Sequence, residues 1–350
     1  MKKVISTIII CVLFLVILNF ISPAAKSGSE SNNTLFVGGD ENGNFLTIQE
    51  AVDSANDGDI IFVYAGTYNG SITIDKSLSL IGEDKNTTII DSHTFGDVLI
   101  VTKDWVNVSD FTIQNGQKTD WIEGGYAYIN SGIRILSGHV TVDQNVIVNN
   151  TYGIYIENGE NNQIISNHIF DNGKGIRISG FNNTIANNNI TNNNQNYTTN
   201  ITLMGENNFG IYLVAANDNN ITGNTISNHL GKGIKLSLLS LNNTIYKNNF
   251  IDNAVNAFDD SNNSWDNGKF GNYWSDYTGK DKNEDKIGDT PYLIPGGDNK
   301  DNHPLMEPYK EFTVDEESMR FMLILGTILA IIFVIPIAYY WYKNFHKKID

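Results

Sequence analysis

Five side chains at one fixed offset have the most to offer a ligand. Arg134, Tyr155, Arg177, Tyr212 and Lys235 each stand third in a Gly-Ile-x-Ile or Gly-Ile-x-Leu phrase. The chain has only three arginines, two of them in this set and the third at Arg320. A guanidinium pairs bidentately with a carboxylate or sulfate, and a phenol ring lies against a sugar face. On a chain of net charge -16 such a set suits an acidic glycan. The alternation also has a structural alternative, in which each cation stacks on neighbouring rings and keeps a sheet face soluble.

A second constellation is the acidic run Asp281, Asn283, Asp285, Ile287 and Asp289. Side-chain oxygens recur at its positions 1, 3, 5 and 9, with the Ile287 carbonyl at 7, as in a calcium loop. Lys286 stands where such loops place glycine and Tyr292 where they place the bidentate glutamate, so a solvated acidic turn fits the run equally. His93, His139, His168 and His229 are dispersed and form no cluster at ligand spacing.

The elements that position these residues follow from periodicity. The phrase occurs at Gly132, Gly153, Gly175, Gly210 and Gly233, with undisturbed steps of 21, 22 and 23 residues. Upstream of each lies a polar residue shortly before a β-branched one: Asp110/Ile113, Asn145/Ile147, Asn167/Ile169, Asn188/Ile190 and Asn224/Ile226. The period is too short for paired helices, and the content of β-branched residues and asparagine disfavours helix. A parallel β-helix of roughly ten coils follows, with coils about 4.8 Å apart. Its isoleucines form an apolar column, its corner asparagines a hydrogen-bonded one, and glycine permits the turn before each strand.

Two gaps break the rhythm, from Ile113 to Gly132 and from Ile190 to Gly210. Both insertions leave the same corner, three coils or about 14 Å apart. The first brings Lys118, Asp120, Trp121, Glu123, Tyr126 and Tyr128 beside the five outward residues; the second brings Tyr197, Met204 and Glu206. Loops on a rigid solenoid usually carry function, so Trp121, Tyr126 and Tyr128 join the ligand-binding set.

The ends predict export. Residues 1–25 combine Lys2 and Lys3, an apolar run and small residues, as in a signal peptide or an uncleaved anchor. Residues 321–342 carry no charge and are long enough for a transmembrane helix, followed by a basic tail at 343–350. A capping box at Thr47-Ile48-Gln49-Glu50 opens a short helix suited to covering the first coil. The β-helix then covers 45–264, an aromatic and acidic closing segment 265–306, and a linker 307–320. Twelve Asn-x-Ser/Thr sequons agree with display outside the cell. The single cysteine, Cys11, lies in the first apolar run, and the acidic balance argues against nucleic acid as partner.

Three runs carry a family resemblance: 47–52, 58–68 with Gly58-Asp59-Ile60-Ile61, and 74–82 ending Leu80-Ile81-Gly82. They resemble the opening of pectin-lyase-like right-handed β-helix proteins. With the Asn repeats and Gly271-Asn272-Tyr273-Trp274 they resemble the NosD-like, CASH-domain group of surface proteins. The resemblance implies an all-β solenoid over roughly 45–306 that binds or organises surface polysaccharide. It equally admits a lyase, hydrolase or epimerase, or a structural envelope spacer. Were it an enzyme, Arg134 or Arg177 would serve as base beside Asp120 and Glu123. Asp143, Glu157, Asp171, Asp218 and Asp252 form no pair on the regular coils.

Overall fold

The computed structural model describes residues 33–39, 44–93, 96–116, 130–194, 208–237 and 239–310. All but two of their strands form three parallel sheets, two of nine strands and one of eight, wound as a solenoid of about nine coils, and Tyr292–Leu293 pairs antiparallel with Lys300–Asp301 in a separate ribbon. Sheet A runs from Thr34–Val37 to Thr244–Tyr246, sheet B from Gly66–Asn69 to Tyr273–Trp274, and sheet C from Ile72–Ile74 to Val255–Asp259.

Strands this short pay for their corners only by stacking, and the stacking is in register. On sheet C, Ile133, Ile154, Ile176, Ile211 and Ile234 are successive partners, all fully buried. Ile113, Ile147, Ile169, Ile190, Ile226 and Phe250 do the same on sheet B. Val142, Ile164, Ile185, Ile221 and Ile245 do so on sheet A. Each coil exposes its interior edge until the next covers it, so the apolar columns hold only as a set.

The corner asparagines form three ladders rather than one. At the A-to-B corner Asn167, Asn188, Asn224, Asn248 and Asn272 each accept the backbone N–H and side-chain amide of the preceding rung, and Asn145, the first rung, accepts the Phe111 N–H alone. At the B-to-C corner the rungs are Asn150, Asn172, Asn193, His229 and Asn253. At the C-to-A corner they are Asn162, Asn183, Asn219, Asn243 and Asn263. The residue before most rungs is left-handed, for example Asn149, Asn182 and Asn187, a conformation asparagine tolerates better than most residues.

Two expectations change here. Asp110 is not a rung: it takes the left-handed position before Phe111, whose N–H bonds to Asn145 Oδ1. The repeat glycines are needed for close approach rather than for a turn. A Cβ on Gly175 would stand 2.2 Å from the Gly210 carbonyl oxygen, and none of the five has a positive φ.

The capping box closes as expected over the helix Ile48–Ser54, whose Ile48, Ala51 and Val52 are buried. At the far end Trp265 and Trp274 are buried, with Phe250 stacked on Trp274 at 4.5 Å and Tyr292 on Trp274 at 4.2 Å. Their indole N–H groups donate to Asp259 and Asp301. Among the described residues no helix is long and apolar enough to cross a membrane; 1–25 and 321–342 lie outside them.

Candidate basic and aromatic face

Sheet C brings the five outward residues together as a column. Arg134 pairs in register with Tyr155, Tyr155 with Arg177, Arg177 with Tyr212, Tyr212 with Lys235, and Lys235 with Phe258. The Arg177 guanidinium lies 5.2 Å from the Tyr155 ring centroid and 6.0 Å from that of Tyr212. Arg134 lies 5.9 Å from Tyr155, and the Lys235 ammonium 4.5 Å from Tyr212. Tyr155 and Tyr212 keep only 5 % and 4 % of their surface, so their faces serve the cations beside them and are not open sugar platforms. This is the stacking arrangement that the sequence offered as the alternative.

A parallel column was missed. Tyr152 pairs with Lys174, and Phe209 with Lys232. The Lys174 ammonium lies 4.7 Å from the Tyr152 centroid and 5.7 Å from that of Phe209. Both columns share one phase. Tyr152 and Tyr155 make an aromatic row, Lys174 and Arg177 a cationic row, Phe209 and Tyr212 an aromatic row, Lys232 and Lys235 a cationic row. The signal was present in the residue before each repeat glycine, which the sequence reading left out.

Acids border this face at one end. Arg134 Nε donates to Glu157 at 3.0 Å and its Nη1 lies 3.4 Å from Asp97. Burial pulls the Arg134 proton affinity down, but Glu157 and then Asp97 more than offset it. Burial raises Asp97, opposed by the Ser131 N–H and Arg134. Arg134 is thereby already paired. At the other end, burial and then the neighbouring Lys235 lower the pKa of Lys232. A partly desolvated ammonium group beside a second cation is relieved by an anion.

The insertions begin after strands Thr112–Gln114 and Asn189–Thr191 and end before Ser131–Ile135 and Phe209–Asn217. Both therefore leave the B-to-C corner, three coils apart, beside the face just described. Asp120, Trp121, Glu123, Tyr126 and Tyr128 lie outside the described residues, as do Lys118, Tyr197, Met204 and Glu206.

In the acidic run the carboxylates turn back on their own backbone. Asp281 accepts from Lys286 N–H, Asp285 from Ile287 N–H and Asn283 Nδ2, and Asp289 from Lys282 N–H. Among the described residues no three His, Cys, Asp or Glu side chains group so as to hold a metal. A further residue missed is Trp105: it is left-handed, 66 % exposed, and stacked on His139 at 4.0 Å. A bulky side chain in that conformation is a true outlier.

Comparison with known proteins adds three findings. The model of the family described as periplasmic copper-binding protein (NosD) matches residues 52–279. A cell surface glycoprotein of Methanothermus fervidus is 29 % identical, the match covering 66 % of this chain and 51 % of that protein. The chain thus spans about half the length of this relative. Among solved structures, pectate lyase Pel9A has a TM-score of 0.43 at 16 % identity, covering 68 % of this chain and 80 % of that one. An alginate lyase from Paenibacillus sp. has a TM-score of 0.40 at 14 % identity, covering 69 % and 97 %.

Proposed function

This chain belongs to the family described as periplasmic copper-binding protein (NosD), and on that footing we propose that it is a surface-displayed solenoid whose sheet C retains acidic polysaccharide. One observation carries the reading: rows of paired cations, spaced by aromatic rows, on a chain of net charge -16. Lys174, Arg177, Lys232 and Lys235 are the primary contacts. Tyr155 and Tyr212 hold the cations at fixed spacing, and Arg134 closes the acidic end of the face. Display outside the cell is supported by the cell surface glycoprotein relative and by the leader-like and tail sequences. In this reading 1–25 directs export, 307–320 links the solenoid to a membrane helix at 321–342, and 343–350 stays inside. The helix Ile48–Ser54 and the segment 265–306 shield the two open ends.

Copper does not enter the reading. Copper favours histidine, methionine or thiolate groups, whereas the described histidines are dispersed and form no metal-holding cluster.

The test is retention of an immobilised polyuronate or sulfated glycan. Arg177→Ala with Lys235→Ala should weaken retention at least tenfold, and salt should weaken the parent chain similarly. Retention unchanged by either would overturn the reading in favour of a spacer, the role that the ring-on-cation packing also suits. Appearance of 4,5-unsaturated uronate during incubation would replace it with a lyase.

A further inference from the structure

The sequons are sorted by the corners. Nine sequon asparagines lie among the described residues: Asn69, Asn86, Asn107, Asn149, Asn182, Asn189, Asn220, Asn242 and Asn262. None stands on a strand of sheet C. Three share one corner and one local design. In Asn182-Asn183-Thr184, Asn242-Asn243-Thr244 and Asn262-Asn263-Ser264 the first asparagine is exposed and the second is a rung of the C-to-A ladder. A frame shifted by one residue would bury the acceptor. Asn182 and Asn242 take the left-handed position that turns the side chain out of the ladder. They stand in one column interrupted by Asp218, since Asn182 N–H bonds to Asn217 O, Asp218 N–H to Leu241 O and Asn242 N–H to Asn262 O. Of the other sequons, Asn69 and Asn189 are also exposed but stand on strands of sheet B rather than at a corner; Asn86 Nδ2 is bonded to Asp84 and Asn149 Nδ2 to Asn115, while Asn107 and Asn220 are half-buried on sheet A.

We propose that Asn182, Asn242 and Asn262 are N-glycosylated, so that the C-to-A corner carries a stripe of sugar while the outer face of sheet C stays bare. The co-reactant is a lipid-phosphate-linked oligosaccharide. Asn Nδ2 forms a bond to the anomeric carbon, and the bond from that carbon to the phosphate oxygen breaks. The lipid phosphate leaves with the electron pair, and the amide nitrogen gives up one proton to the transferase; no oxidation is involved. The proposal rests on display outside the cell. It deepens that reading by separating a coated edge from a working face, because glycan on sheet C would cover the cations.

The full chain is produced in a host with its own oligosaccharyltransferase, once behind its own first residues and once behind a leader of proven export. Glycopeptide masses are then read. The expected result is glycan at Asn182, Asn242 and Asn262, with occupancy above that at Asn107 and Asn220. Thr184→Ala, Thr244→Ala and Ser264→Ala, which leave the corner asparagines in place, should each remove one glycan without changing circular dichroism. An exported chain bare at all three sites, or carrying glycan mainly at Asn107 and Asn220, would overturn the proposal. Glycan at the three sites behind the proven leader alone supports it and counts instead against export by the chain's own leader.

Discussion

His229 occupies a rung that neighbouring coils give to asparagine, and one neutral tautomer satisfies both of its neighbours. Nδ1–H donates to Asn253 Oδ1 at 2.8 Å while Nε2 accepts from Asn193 Nδ2 at 3.2 Å, the same donor-below, acceptor-above polarity as an amide. Protonation would set two donors face to face. Burial, opposed by Asn253, lowers its pKa to about 4. A base with a depressed folded pKa contributes stability that is complete above its unfolded value and is lost as pH falls toward the folded one. Stability should therefore drop by up to about 3 kcal/mol between pH 6.5 and 4. His229→Asn should flatten that slope, as read from urea midpoints at pH 7 and 4.5; an unchanged slope would place the acid sensitivity elsewhere. Trp105 makes the opposite case: its left-handed backbone costs about 1–2 kcal/mol, offset in part by the ring of His139.

At the scale of the element, the ladders do the work that turns do in ordinary sheets. Asn188 Oδ1 accepts both Asn167 N–H and Nδ2, and its own amide serves the carbonyls of Ile164 and Ala186. Asn188→Ala strands several buried groups, each costing about 1–3 kcal/mol. It should lose roughly 3–5 kcal/mol in total, whereas the adjacent exposed Asn189→Ala should stay within about 0.5 kcal/mol. Thermal or urea denaturation of the pair measures the contrast, and equal losses would remove the ladder from the stability account. The A-to-B ladder was legible because asparagine recurs two residues before a β-branched residue. The B-to-C and C-to-A ladders were hidden within an asparagine-rich background, where a rung and its exposed neighbour, such as Asn183 and Asn182, have the same letter. On sheet C the column from Arg134 to Lys235 was legible in residue type and order, whereas its companion through Tyr152, Lys174, Phe209 and Lys232 was not. What sequence could not give is how closely the cations cover the rings, because that depends on coil spacing and rotamer rather than on period.

At the scale of the whole molecule, interior and exterior keep different time. The buried isoleucines and the rungs repeat with every coil, while aromatic and cationic rows on sheet C repeat with every second coil, about 10 Å. Excising 161–181 joins Glu160 to Asn182 and preserves every ladder, but sets Tyr152 and Tyr155 directly beneath Phe209 and Tyr212. The shortened chain should still fold cooperatively, as followed by circular dichroism, yet lose most retention of acidic glycan. Failure to fold would show that the coils are not interchangeable units. A lineage that lengthens this solenoid by duplication is thus held to even increments: a lone added coil leaves the scaffold sound and throws the outer face out of step, whereas two added together extend both.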